Sequence, residues 1–215
     1  MVRFVIVRHG LSIYNKERKF TGQSDISLDE IGFEQAKNTA KYILNNYKID
    51  KVYSSDLIRA VETARPIAEA LNLPIITDSE LREINAGCWQ DMYIEDIKKE
   101  YNDDFYKWAT DVGNARCGDG ESSAELNVRA KKVFEKLALE NEGKTVLVAT
   151  HGGLIRAIRC VWLNIPLDEM KNVKHVSNAS VTVAEFDNET KTATMPLIGF
   201  DTHLEDKVTE FAVVV

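Results

Sequence analysis

Two histidines stand in matching settings: Arg8-His9-Gly10 directly follows the β-branched run Val2 to Val7, and Thr150-His151-Gly152-Gly153 directly follows Thr145 to Ala149. Runs of that kind predict strands buried on both faces, and in an open parallel sheet ligands bind off the C-terminal strand ends. A single histidine in such a place is ordinarily a satisfied core or surface residue. Two at the same topological position, each followed by a glycine that lets backbone N–H groups approach a ligand, point to one shared site. Two more strand ends add charge, Ser54-Ser55-Asp56-Leu57-Ile58-Arg59 and Leu81-Arg82-Glu83. Arg59 falls in the first turn of a helix, where a cation is disfavoured unless an anion lies near it. Arg8, His9, Arg59, His151 and one carboxylate together make an anion site with an acid/base group.

The residue types narrow the anion. Two histidines and a glutamate could form a zinc triad, but arginines beside the ligands would repel the ion, so no metal is expected. Acyl transfer would need a serine in a nucleophile elbow such as G-x-S-x-G, and none is present. Guanidinium forks match phosphate geometry, which makes a phosphoryl group the simplest anion.

The elements that must position these residues follow from periodicity. Asp29 caps a predicted amphipathic helix with Phe33, Ala36, Ala40, Ile43, Leu44 and Tyr47 on its apolar face; Lys51 to Ser54 and Ile75 to Thr77 read as strands. A helix over Leu57 to Leu71 contains Pro66, so either two short helices meet there or one kinks. Helices are also predicted near Glu95 to Tyr101, from Leu126 to Leu137 and from Leu154 to Val161, and closing strands from Ser180 to Phe186 and Thr192 to Ile198. Strands alternating with helices imply an α/β fold, a three-layer α/β/α sandwich with a mostly parallel central sheet. One domain over residues 1–215 is the economical reading, with the irregular, acidic, aromatic stretch 84–120 as an insertion or lid over the site.

Composition sets outer bounds. The 215-residue chain carries a net charge of −7 and 44% hydrophobic residues, enough for a sizeable core and contrary to nucleic-acid binding, which needs a broad basic face. Cys88, Cys117 and Cys160 are odd in number and widely spaced, which argues against a disulfide framework or zinc site. No apolar run approaches a membrane span and the N-terminus lacks a signal-peptide pattern, so the expectation is a cytoplasmic protein without membrane contact; oligomeric state stays open.

In this order the motifs resemble the histidine phosphatase superfamily, in the branch that includes cofactor-dependent phosphoglycerate mutases. Those carrying the resemblance are Arg8-His9-Gly10 with Asn15, Phe20-Thr21-Gly22-Gln23, Ser55-Asp56-Leu57-Ile58-Arg59-Ala60 with Glu62-Thr63-Ala64, and Leu81-Arg82-Glu83 with Gly87 and Trp89. Gly120-Glu121-Ser122, Thr150-His151-Gly152-Gly153 and Ser177-Asn178-Ala179-Ser180 complete the set. The resemblance implies a phosphoglycerate mutase-like fold, His9 as the nucleophile that becomes phosphohistidine, and Arg8, Arg59 and His151 as ligands of the phosphoryl oxygens. It implies Glu83 as proton donor; Asn15, Thr21, Gly22, Gln23 and Gly152 as substrate contacts; and no cofactor. The physics agrees: nearby arginines keep His9 neutral for attack, and two arginines with a protonated His151 can hold a transferring phosphoryl group without metal. Leu11 departs from the acidic or amide residue common after the first glycine, and Gln90-Asp91 from Glu-Gly.

The substrate expected is a small phosphorylated metabolite. Three function classes fit: a phosphomonoester hydrolase, a phosphoglycerate-type mutase, or a silent phospholigand binder. The hydrolase is preferred because a mutase must grip a second anionic group, whereas residues 84–120 hold four cations against eight acids. His175 and His203 are expected at the surface. Trp89, Tyr93, Tyr101, Phe105, Tyr106 and Trp108 are expected mostly as local packing, with an apolar substrate wall as the alternative.

Overall fold

The first strand, β1 (Val2–Arg8), alternates its side chains between two cores: Phe4 and Ile6 face one, Val5 and Val7 the other. The computed structural model describes residues 1–209. After β1 come a short helix α1 (Ile13–Glu17), α2 (Glu30–Asn46), β2 (Lys51–Ser54), α3 (Ile58–Leu71) and β3 (Ile75–Thr77). Then follow α4 (Ile94–Glu100), α5 (Asn102–Thr110), α6 (Ser123–Glu140), β4 (Thr145–Thr150), α7 (Gly152–Trp162), β5 (Val181–Asp187) and β6 (Thr192–Phe200). The six strands form one sheet in the order β3-β2-β4-β1-β5-β6, parallel from β3 to β1 and antiparallel through β5 and β6.

Two buried clusters define the outer layers. Ala40 and Ile43 of α2 and Ala64, Ile67 and Ala68 of α3 cover one face; Leu126, Phe134, Leu154 and Ile158 of α6 and α7 cover the other. β1 and β4 are neighbours whose following helices lie on opposite faces, the topological switch point at which ligands bind in open α/β sheets. Segment 84–120 joins the α6–α7 side through buried Trp89, Ile97, Phe105 and Cys117.

The expected three-layer sandwich is therefore present, with local corrections. Phe33 is exposed on α2, whose buried face instead carries Gly32, Gln35 and Thr39 beside the alanines. Gln35 is buried because its amide bonds Leu11 N and Lys207 O, a tertiary demand periodicity does not register. α3 runs unbroken through Pro66; Pro66 and Glu62, whose carbonyl loses that partner, are both only half-buried. Helices α1 and α5 lie where periodicity predicts no helix. Ser12 and Asn15 close a capping box on α1.

Candidate active site

Register brings the two histidines together. β1 and β4 pair in parallel with Arg8 opposite Thr150, His9 N–H donates to the Thr150 carbonyl (2.9 Å), and the rings of His9 and His151 lie 5.1 Å apart. Both are buried. Nδ1 of His9 stands 2.7 Å from the Gly10 carbonyl, so it carries the proton and Nε2 is left with its lone pair. Asn178 fixes that arrangement by donating to the carbonyls of His9 (3.1 Å) and Gly10 (3.3 Å). Gly10 N–H donates to Thr63 Oγ1, and a Cβ on Gly10 would stand 2.6 Å from the Gly32 carbonyl, so only glycine lets the loop lie against α2.

The cations are set by backbone carbonyls. Arg8 donates to Val176 O (2.6 Å), and Arg59 to Ser24 O (2.7 Å) and Gly22 O (2.8 Å). Burial lowers both guanidinium pKa values to about 10, leaving them charged at neutral pH. Glu83 accepts from Gly153 N–H (3.0 Å), at the N-terminus of α7, and from Ile84 N–H (2.9 Å). A Cβ on Gly153 would stand 2.2 Å from Glu83 Oε1, which accounts for the second glycine after His151. Arg129 of α6 holds the turn that carries Glu83 by donating to the carbonyls of Glu80, Arg82 and Glu83 while paired with Glu121. Arg129 lay unread among Leu126, Ala130 and Val133, where a cation in an apolar stripe was the available signal.

Arg8, His9, Arg59 and Glu83 line one cavity of about 150 Å³ with Asn15, Thr21 and Gly22. His151 lies behind His9. Gln23 does not line that cavity; its side chain donates to the Glu83 carbonyl and its N–H to Gln90. Gly152 packs against Arg8, whose guanidinium a Cβ there would crowd at 3.3 Å. Leu11 contributes an apolar side chain to the lining, with its N–H bound to Gln35.

Three histidines differ from expectation here. His175 is half-buried: it lines the cavity, accepts from Arg156 (3.1 Å), and desolvation beside Arg156 holds its pKa well below the ordinary value. His203 is half-buried, stacked on Tyr42 (5.0 Å) and bonded to Thr39. Burial and then Arg59 press the His151 pKa well below the ordinary value, which disfavours the cation expected there. Both ring nitrogens of His151 and Nε of Arg59 are buried without hydrogen-bond partners among the described residues, as groups awaiting an anion would be.

Burial, followed by the charges of Arg59 and Arg8, likewise holds His9 neutral. An unfolded chain protonates both histidines below about pH 6.5, so the native state binds fewer protons and loses stability as pH falls through that value. Urea denaturation should show a loss of about 1 kcal/mol per histidine between pH 6.5 and 5.5 and about 1.4 kcal/mol per further unit. A flat profile there would contradict a buried neutral pair.

The profile of the histidine phosphatase superfamily, branch 1, matches residues 4–196. The chain belongs to that superfamily. It is 34% identical over 169 residues to phosphoserine phosphatase 1 of Hydrogenobacter thermophilus, covering 79% of this chain and 80% of that one. It is also 34% identical to phosphoglycerate mutase-like protein 4 of Arabidopsis thaliana over 207 residues, 94% and 86% of the two chains. Among solved structures, Bacillus stearothermophilus YhfR superposes with a TM-score of 0.89 at 27% identity, over 95% of this chain and all of the other. This histidine phosphatase thus shares fold and family with proteins named for hydrolysis and for mutase chemistry.

Proposed function

We propose that the chain is a single-domain phosphomonoester hydrolase that works through a phosphohistidine at His9, with residues 84–120 as a lid over the site. The observation that carries this reading is the fixed tautomer of His9, which leaves Nε2 nucleophilic beside Arg8, Arg59 and His151. Nε2 attacks phosphorus, the P–O bond to the leaving group breaks, and the leaving oxygen keeps the electron pair and takes a proton from Glu83. Water then attacks phosphorus while giving a proton to Glu83; the P–N bond breaks, its electron pair returns to Nε2, and phosphate departs. The two guanidiniums neutralise charge spread over the phosphoryl oxygens, the part a divalent ion plays elsewhere.

The mutase reading keeps one support. The acids of 84–120 do not reach the cavity, and Arg18, Lys19 and Lys171 stand on its rim, so segment charge does not argue against a second anionic grip. Phosphate release from small esters, measured beside 3- to 2-phosphoglycerate interconversion with a bisphosphate primer, separates the two. Release should dominate and should survive EDTA. Rapid primer-dependent interconversion would overturn the hydrolase, and metal-restored loss on chelation would overturn the site chemistry.

A further inference from the structure

The cavity has two unlike halves. Around His9 it is cationic and polar; away from it the wall is Phe20, Ile84, Ile94, Trp108, Val112 and Leu126. Of the hydroxyls that line the cavity among the described residues, Ser123 Oγ donates to the Val112 carbonyl (2.6 Å), and Thr21 Oγ1, beside Phe20, has no partner. Among the described residues that line it the single carboxylate is Glu83, which the chemistry uses, whereas Arg18, Lys19, Arg156 and Lys171 are basic. Resting on the hydrolase reading, we infer that the substrate is a phosphate ester whose leaving group is a compact apolar body of about one ring.

Polar leaving groups lose by the same surfaces. Polyol hydroxyls against this wall would give up water with only Thr21 Oγ1 to meet them, and the ammonium of an amino alcohol would face cations with no free carboxylate to pair it; a carboxylate would be drawn to Arg18, Lys19 or Lys171, away from the apolar wall. An apolar ring gives up nothing and covers Trp108 and Ile94, which remain only half-buried. The whole cavity, about 150 Å³, must hold the phosphoryl group as well as the leaving group, which limits the apolar body to about one ring. Trp108 is held edge-on by Trp89 (6.2 Å, 88°) and by Phe20 (6.4 Å), so the wall is formed before substrate arrives. The rim cations then serve to draw in the phosphate dianion.

The test is kcat/KM for benzyl phosphate, phosphoserine and glycerol phosphate on the full chain. Benzyl phosphate should exceed both others by roughly tenfold or more, although its alcohol is no better a leaving group. Trp108→Ala should lower kcat/KM for benzyl phosphate by about tenfold through KM, with a smaller loss for phosphoserine. Because Trp108 also packs the lid, Ile94→Ser provides a second variant with the same expected asymmetry, and inhibition by inorganic phosphate checks that the cationic half is intact. Phosphoserine or glycerol phosphate turned over as well as benzyl phosphate would overturn the inference, as would equal losses for all esters in both variants. No release from any ester, or release that persists in His9→Ala, would instead bring down the hydrolase reading, and this inference with it.

Discussion

Replacing His9 with alanine should lower phosphate release by on the order of 10⁵–10⁶-fold, the scale on which removal of a covalent nucleophile acts. The reason is local. Nε2 is the one lone pair that the Gly10 carbonyl and Asn178 aim into the cationic half of the cavity, and no serine or cysteine stands in its lining apart from Ser123, whose hydroxyl is engaged. Arg8, Arg59 and His151 remain in the variant, so inorganic phosphate should still bind while nothing accepts the phosphoryl group. Measured release above about one hundredth of wild type would require another nucleophile, or direct attack by water, and would contradict covalent catalysis.

Glu83→Gln should discriminate between esters. An alkoxide departs poorly without a proton, whereas nitrophenolate departs unaided. Single-turnover phosphorylation of His9 by an alkyl ester should therefore fall 10²–10⁴-fold, the usual range for general acid catalysis, with a much smaller loss for nitrophenyl phosphate. Glutamine keeps the size and the acceptor oxygen for Gly153 N–H but carries no transferable proton. Steady-state rates would blur the contrast, because Glu83 also takes the proton from water in the second step, and that step is common to both esters. Equal losses in the first step would leave Glu83 a structural anchor between α7 and the turn after β3.

His9 and His151 were legible because strand ends are, whereas Glu83 lies beyond β3, after the short 3₁₀ turn Ser79–Leu81. A β-branched run that stops at His-Gly fixes position in the fold as well as residue type, so the side-by-side placement of His9 and His151 follows once β1 and β4 pair in register. The cap at Asp29 and the buried strand at Thr145–Thr150 were readable for the same reason. What escaped depends on distant contacts. Asn178 was visible within a motif, yet its hold on the His9 and Gly10 carbonyls arises only when the loop before β5 folds against the loop after β1. His175 sits in the loop before β5, and its place in the cavity arises only because Arg156 of α7 lies beside it. Charge summed along 84–120 misled because its acids face solvent while the cations on the cavity rim come from segments far off in sequence. His151 was expected charged because its role was considered without the burial and the neighbouring Arg59 that disfavour the cation.

The central claim is the covalent phosphohistidine. Glu83→Gln offers the best condition for capturing it, since nitrophenyl phosphate still phosphorylates the enzyme while activation of water is lost. The variant should be mixed with nitrophenyl phosphate, quenched in alkali, where phosphohistidine survives, and its peptides mapped by mass spectrometry. The account predicts a near-stoichiometric phosphoryl adduct on His9, attached at Nε2 and absent when His9→Ala is added. No adduct while nitrophenolate is released in a burst, or an adduct on any other residue, would contradict it.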